Sequence, residues 1–474
     1  MYNLLCIIIL LLSCVSLFGY LKRTTRKMMV SLNVLLVFLS VLSLVMYGVR
    51  LTLAPLYGLI VLSLFLFVVS LVNKQSTRRK NKLLAVLTVG LTVVFSLGTG
   101  VSLYIFPQFS LANPSGPHGI GELSLSLEDT LREEPYTSVT GDSRKMMLQI
   151  WYPTAKDTSS KKEHYPYEVG DALNSVLQLP QSLFSYFKKI PTHIVHAASV
   201  MTAKHKYPVI LFSPGNGSTR FQNLSLVEEL VSNGYVVMGM DHPYTSSDLT
   251  YPDGTVAVRS EGKLESIPEE YLFETEVDIR AKDMAFVIGQ LRSKADSLAG
   301  IQSILQEMDM DNIGVVGHSY GGATIAQVMA EDRNIKAGIS YDGGLWGSPA
   351  SEGIQQPFLY MSASKTLDYM NSTKASDELQ KQFVKSVLQN LYSTEQASGK
   401  DFHFALFEDY NHYSFTDIPF IVPVFSSGSD TTQMTNEVSL AFFDQYLKGE
   451  SVDFRDLLIA DHNVKLMSVD DVLK

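Results

Sequence analysis

The 474-residue sequence predicts an α/β fold, a mostly parallel sheet flanked by helices, preceded by a bundle of four transmembrane helices. Three observations lead there. Residues 1–107 hold four apolar runs, each near the roughly 20 residues that span a bilayer as a helix. Charge divides at the same point, because ten of the 38 Lys and Arg and none of the 48 Asp and Glu lie in residues 1–107. From residue 108 to residue 474, short apolar runs alternate with amphipathic stretches, the pattern of strands joined by helices.

The runs are Leu4 to Leu21, Met28 to Val49, Leu51 to Val72 and Leu83 to Phe106. A signal peptide is the other reading of the first, but its positive residues follow the apolar stretch and no small-residue cleavage pattern is evident, so a retained helix is expected. Lys22, Arg23, Arg26 and Lys27 follow the first run, and Lys74, Arg78, Arg79, Lys80 and Lys82 follow the third; only Arg50 separates the second from the third. Basic short loops stay in the cytoplasm. The N-terminus and everything after Pro107 are therefore expected outside, in a multi-pass plasma-membrane protein with an extracytoplasmic C-terminal domain. No acidic residue or histidine interrupts the runs, which favours an anchor over a proton or ion path.

The remainder is strongly acidic and has no basic aromatic stripe, which argues against a nucleic-acid partner. Both cysteines, Cys6 and Cys14, fall in the first apolar run, so the soluble part has no thiol for a disulfide, a zinc site or a nucleophile. After the turn-rich NPSGPHGIG, the predicted strands are MLQIWYP, PVILFS, YVVMGMD, NIGVVGHS, AGISYD, PFLYMSA and FHFALFE. Predicted helices include LVEELVSN, TEVDIRAKDMAFVIGQLRSKA, GATIAQVMAE and EVSLAFFDQYLKG, the last capped by Gly449. Two stretches break the alternation. Ala172 to Val200 reads as an interfacial or substrate-facing element or as an ordinary packed helix pair, and Lys365 to Lys400 as a lid or a solvated surface excursion.

Gly317-His318-Ser319-Tyr320-Gly321 is a G-x-S-x-G pattern between a strand-like and a helix-like run. Such a turn strains the serine backbone and presents the hydroxyl at the strand end, while glycines keep side chains out of the tight packing around it. Ser319 is thus the candidate nucleophile. A serine hydroxyl needs a general base held by a third group. His412, in EDYNHYSF just beyond FHFALFE, is the candidate base; His403 lies inside that strand and His462 in the tail. Two acids compete: Asp342 ends AGISYD and precedes two glycines, and Asp368 lies beyond PFLYMSA; Asp342 is preferred and Asp368 is the fallback. Oxyanion donors are expected from the amides of Tyr320 and of Asn216, in the Gly215-Asn216-Gly217 loop after PVILFSP. His242, at another strand end, reads as structural. No metal-binding or nucleotide-binding motif is present, so no metal and no cofactor are expected.

These residues resemble the platelet-activating factor acetylhydrolase family of the plasma and intracellular type, calcium-independent phospholipases of the α/β-hydrolase fold. GPHGIGELSLSLED is similar to the family's GPYxVGxxDL, LQIWYP to its RLYYP strand, FSPGNGS to its FSHGLG oxyanion loop with Pro214 in place of a histidine, and GHSYGG to its GHSFGG elbow. The resemblance implies an acid after the strand that follows the elbow, at Asp342, and a histidine followed by Phe and Asp, at His412 with Phe415 and Asp417. The four-helix N-terminus, which the mammalian members lack, marks a membrane-anchored, bacterial-type member.

By resemblance the substrate is a phospholipid with a short or oxidised acyl chain, or another short-chain ester. The apolar run IPFIVPVF at Ile418 to Phe425 would line an acyl pocket, touch lipid or form a buried loop. The expected chemistry is ester hydrolysis through an acyl-enzyme on Ser319. The competing readings are an esterase for non-lipid esters or polyesters, and a silent membrane-bound binding protein, which would have no need of all three triad members.

Overall fold

The computed structural model describes residues 2–22, 24–72, 82–156, 160–259, 264, 269–371, 378–425 and 430–473. Within them the four apolar runs are helices α1 (Tyr2–Lys22), α2 (Arg26–Tyr47), α3 (Ala54–Val72) and α4 (Lys82–Ile105), long and apolar enough to cross a membrane. Their outward faces stay apolar, as with Phe38, Phe65 and Leu97, while Leu36, Leu56 and Leu59 pack between helices. The buried Asn33 amide donates to Ser16 Oγ at 2.9 Å and to the Met29 carbonyl, tying α2 to α1 with a polar contact that has no water to compete with it. Of the basic loop residues, Arg23, Lys74, Arg78, Arg79 and Lys80 lie outside the described residues.

Beyond α4 the chain builds a ten-stranded sheet. Its strands are β1 (Gly119–Glu133), β2 (Ser143–Thr154), β3 (Ile194–His196), β4 (Tyr207–Ser213), β5 (Val236–Asp241), β6 (Met308–His318), β7 (Ala337–Tyr341), β8 (Phe358–Ala363), β9 (Phe402–Phe407) and β10 (Val464–Met467). The spatial order is β10-β9-β8-β7-β6-β4-β5-β2-β1-β3. Six neighbours, β5 to β9 through β4, run parallel; β2 is antiparallel to β5 and to β1, and β10 to β9. All seven predicted strands are present. The long β1 is absent from the predicted strands: its alternation GELSLSLE is polar on every second residue, and it pairs with β2 along most of its length but with the short β3 only at Ile120–Glu122. Both edge strands are short, which limits the unpaired backbone offered to other chains.

Alternation of side chains splits the core into two layers. On β4, Val209 and Leu211 point to one layer and Ile210 and Phe212 to the other; on β6, Val315 and Val316 divide likewise. All six are fully buried, each contributing about 1.5–3 kcal/mol of transfer free energy. Helices α6 (Leu224–Ser232) and α10 (Asp430–Phe443) cover one face, and α7 (Glu269–Ser293) and α8 (Tyr320–Glu331) lie on the other. Gly449, at φ 70°, ends the last turn after α10 as the sequence predicts.

The two irregular stretches resolve differently. Ala172 to Val200 contains the end of α5 (Val169–Leu177), a 3₁₀ segment (Gln181–Lys189) and β3. Lys365 to Lys400 holds the end of a short helix, Ser364–Asn371, and α9 (Glu378–Ala397), whose Leu391 is buried in the layer on the α7 side; residues 372–377 lie outside the described residues. Packed this way, α9 is a surface helix and does not cover the cavity described below.

Candidate active site

The parallel strands all end on one side of the sheet, and the candidate residues follow those ends: Asn216 after β4, Ser319 after β6, Asp342 after β7, Thr366 after β8 and His412 after β9. Side chains converge at the carboxyl ends of a parallel sheet because the strand-to-helix loops gather there.

Ser319 sits at φ 56° and ψ −119°, backbone a non-glycine residue rarely adopts. The turn holds because its amide donates to the Tyr341 carbonyl at 2.8 Å and its own carbonyl accepts from Ala323. A Cβ at Gly317 would run into the Gly321 carbonyl, and one at Gly321 into that of Ser213, so both glycines are steric requirements of this packing. From Ile313 to Ala330, Ser319 alone is not buried. Strain and exposure fall on the one residue that would react.

His412 is about one-third exposed, and its Nδ1 lies 2.8 Å from Asp342 Oδ2. Asp342 is buried at φ 53° and also accepts from Thr366 Oγ1 at 2.6 Å and from the Ala363 amide at 3.1 Å. Burial pushes its carboxyl up, but the bonds from His412, Thr366 and Ala363 outweigh that and hold it below the usual carboxylate range. Asp368, the fallback acid, is exposed on the helix Ser364–Asn371. His403 instead faces Phe454 from within β9, and His462 is exposed in the tail.

The Asn216 loop packs against the serine turn, where a Cβ on Gly215 would lie 3.5 Å from that of Ser319. Tyr320 opens α8, so its N–H is one of the helix's unpaired first-turn donors. Among the described residues, neither that N–H nor the one of Asn216 has a hydrogen-bond partner. Around them is a cavity of about 230 Å³ lined by Ser319, His412 and Asn216, with Val169, Ala172, Leu173, Val176, Ile418 and Ile421 as its apolar walls.

Several positioning residues escaped the sequence reading. Gln222 Oε1 accepts from the Gly215 amide at 2.8 Å, and its Nε2 lies 2.9 Å from His318 Nδ1. His318 Nε2 is 2.7 Å from the His412 carbonyl. With Nδ1 accepting, Nε2–H must donate, which makes His318 neutral. Burial and the neighbouring His412 agree, driving its pKa down to about 3. One glutamine and one histidine thus link the Asn216 loop, the serine turn and the His412 loop. Asp417 fastens that last loop through the Ser225 amide and hydroxyl and, at 3.3 Å, Tyr165 Oη. His318 carried a local signal, being inside the G-x-S-x-G run, and Asp417 one from the resemblance, which pairs it with His412; Gln222 had none.

A second Ser-His-Asp set lies behind the site. Ser213 Oγ is 3.0 Å from His242 Nε2, and His242 Nδ1 is 2.9 Å from Asp283 Oδ2. All three are fully buried, Arg144 pairs with Asp283 at 2.8 Å, and burial drives the His242 pKa down to about 3. No substrate reaches them. Arg280 donates to the Pro214 carbonyl beside Ser213, so this network supports the loop that carries Asn216. The structural reading of His242 fits this placement.

The model of the family described as platelet-activating factor acetylhydrolase, isoform II, matches residues 104–459. A probable 1-alkyl-2-acetylglycerophosphocholine esterase of Arthroderma benhamiae is 25% identical over 295 residues, 59% of this chain and 71% of that protein. The platelet-activating factor acetylhydrolase of Canis lupus familiaris is 23% identical over 384 residues, 74% of this chain and 82% of that one. Among solved structures, a ferulic acid esterase from Streptomyces cinnamoneus has 27% identity and a TM-score of 0.58, covering 76% of this chain and 99% of its own. Because the family match runs from the end of α4 through β1–β9 and every loop that carries a candidate site residue, the chain is a carboxylic ester hydrolase and belongs to the platelet-activating factor acetylhydrolase family of the α/β-hydrolase superfamily.

Proposed function

We propose that the chain is a membrane-tethered serine hydrolase that cleaves phospholipids bearing a short or oxidised acyl chain. The observation that carries this reading is the small apolar cavity shared by Ser319, His412 and the Asn216 loop. At about 230 Å³ it is below the roughly 300–1,000 Å³ of pockets for drug-sized ligands. Such a space suits a short acyl group better than a full-length chain.

In the proposed mechanism Ser319 Oγ attacks the ester carbonyl carbon while His412 Nε2 takes the hydroxyl proton. Asp342, ionised and bonded to Nδ1, holds the ring in the tautomer that leaves Nε2 free and stabilises the imidazolium. The carbonyl oxygen becomes an oxyanion that the Asn216 and Tyr320 amides receive. Collapse of the intermediate breaks the ester C–O bond, His412 returns the proton to the departing alcohol, and an acyl-Ser319 ester remains. Water, deprotonated by His412, then releases the acid and restores the serine.

In this reading the hydrolase lies outside the cytoplasm with α1–α4 as a multi-pass anchor in the plasma membrane, which the two basic loops and the apolar length of the helices support. A second reading, hydrolysis of a non-lipid ester, is favoured by the likeness to the ferulic acid esterase. One experiment tests both site and side. Intact cells expressing the full chain are treated with a charged, membrane-impermeant fluorophosphonate, beside Ser319→Ala, and the purified chain is then given 2-acetyl phospholipid and feruloyl ester. Labelling of the wild type only, with turnover of the phospholipid, is expected. Labelling of the alanine variant overturns the nucleophile, labelling only after lysis overturns the orientation, and turnover of feruloyl ester alone selects the second reading.

A further inference from the structure

Arg50 is the only charge between the second and third apolar runs, and the structure buries it to 1% exposure. Its Nη2 donates to the Phe106 carbonyl at 2.9 Å and its Nη1 to Gln108 Oε1 at 3.2 Å. The guanidinium lies 3.8 Å from the ring centre of Tyr186 and 5.0 Å from that of Tyr2. Among the described residues no carboxylate reaches it. A buried guanidinium held by carbonyls and two aromatic faces, one from α1 and one from the hydrolase, is a costly joint unless the junction it makes is needed.

That junction leads directly to the cavity. Tyr186 belongs to the 3₁₀ segment Gln181–Lys189, whose Phe184 meets Phe106 edge-on at 6.0 Å and packs against Gly170 of α5. The same α5 supplies Val169, Ala172, Leu173 and Val176 to the cavity wall. Phe187 and Phe109 meet Tyr165 edge-to-face, and Tyr165 bonds to Asp417 in the His412 loop. On the other side, Pro423–Phe425 contacts α4 and directly follows the short helix Ile418–Ile421, two of whose residues line the cavity. Exposed side chains mark this end: Lys189 beside Gly48, Lys188 over the Tyr167 ring, and Val424 and Phe425 beside α4, the last two about 40% open. Ammonium groups and large apolar side chains together match the phosphate and acyl zones of a bilayer surface.

We propose that the bundle governs how lipid reaches the active site and takes no part in the chemistry there. Arg50 locks it to the cavity's apolar wall and holds the mouth against the bilayer, so that the ester lipid passes into the cavity from the adjoining leaflet without crossing water. The inference rests on the lipid reading given above. Arg50 is a positioning residue: through Tyr186 it sets where the mouth sits, and it touches no reacting group.

The test uses the full chain reconstituted in phosphatidylcholine vesicles containing a 2-acetyl phospholipid, with water-soluble p-nitrophenyl acetate as the reference substrate. Arg50→Leu, which removes the guanidinium's hydrogen bonds and ring contacts, and, as a surface change that leaves the Arg50 joint alone, Phe425→Asp, which removes an apolar contact with the bilayer, are each expected to lower turnover of the embedded lipid by about tenfold, through KM. Both are expected to keep kcat/KM on p-nitrophenyl acetate within about twofold. Unchanged lipid turnover in both variants, or an equal fall on both substrates, overturns the proposal. A wild type that cleaves p-nitrophenyl acetate but no embedded lipid overturns the lipid reading and this inference with it; a wild type that cleaves both, with variants that do not discriminate, overturns this inference alone.

Discussion

Replacing Asp342 by Asn keeps the shape of the site and inverts its hydrogen bonding. The carboxylate takes three donors: the Ala363 N–H on Oδ1, and Thr366 Oγ1–H and His412 Nδ1–H on Oδ2. An amide has one oxygen and one NH₂. If the NH₂ took the Oδ1 side it would face the Ala363 N–H, a backbone donor that cannot turn away. It must therefore take the Oδ2 side, where the Thr366 hydroxyl can rotate and His412 must accept at Nδ1. The imidazole proton then sits on Nε2, and the base cannot receive one from Ser319. Loss of the correct tautomer in a serine triad lowers kcat about 10⁴-fold, or about 5 kcal/mol of transition-state stabilisation. The assay is p-nitrophenyl acetate hydrolysis by the full chain in detergent micelles, with thermal unfolding to show that Asp342→Asn remains folded. Asp368→Asn, altering an exposed carboxylate on the helix Ser364–Asn371, is expected to stay within about twofold of wild type. A fall of less than about tenfold for Asp342→Asn, or the same loss in Asp368→Asn, refutes the reasoning.

Gln222→Leu removes the acceptor of the Gly215 amide and the donor to His318 Nδ1, freeing the Asn216 loop from the serine turn. A fall in kcat of about 10–100-fold with little change in KM is expected, and a kcat within twofold of wild type would show that the loop needs no such link. His242 has a folded pKa near 3 against an ordinary value of 6.5, so below about pH 6.5 the unfolded chain binds a proton that the folded chain refuses. Its contribution to stability is therefore complete above pH 6.5 and is lost as pH falls toward 3. Relative to His242→Gln, the wild type should lose roughly 2 kcal/mol between pH 7 and pH 5, read as the difference in thermal midpoints; a difference that does not change with pH would contradict a buried neutral imidazole.

What the sequence determined by itself was what local pattern encodes. Apolar length fixes α1–α4 as candidate membrane spans, period-two and period-3.6 runs yield the parallel strands and their helices, and a serine between Gly317 and Gly321 at a strand end specifies a strained, exposed hydroxyl. The preference for Asp342 over Asp368 rests on the same local logic, since a carboxylate directly at the end of β7 needs no further chain to reach the carboxyl edge of the sheet. What only the tertiary structure decided are the contacts made across long separations. Gln222 joins His318 over 96 residues, Asp417 joins Tyr165 over 252, and Arg50 meets Tyr186 across the junction between bundle and hydrolase. None has a periodic or spacing signal, because such pairs are selected by the folded backbone's register and not by neighbours in the chain. Arg50, a lone basic residue in a loop when read along the sequence, is a buried joint because folding brings two aromatic faces and a free helix-end carbonyl to the same point.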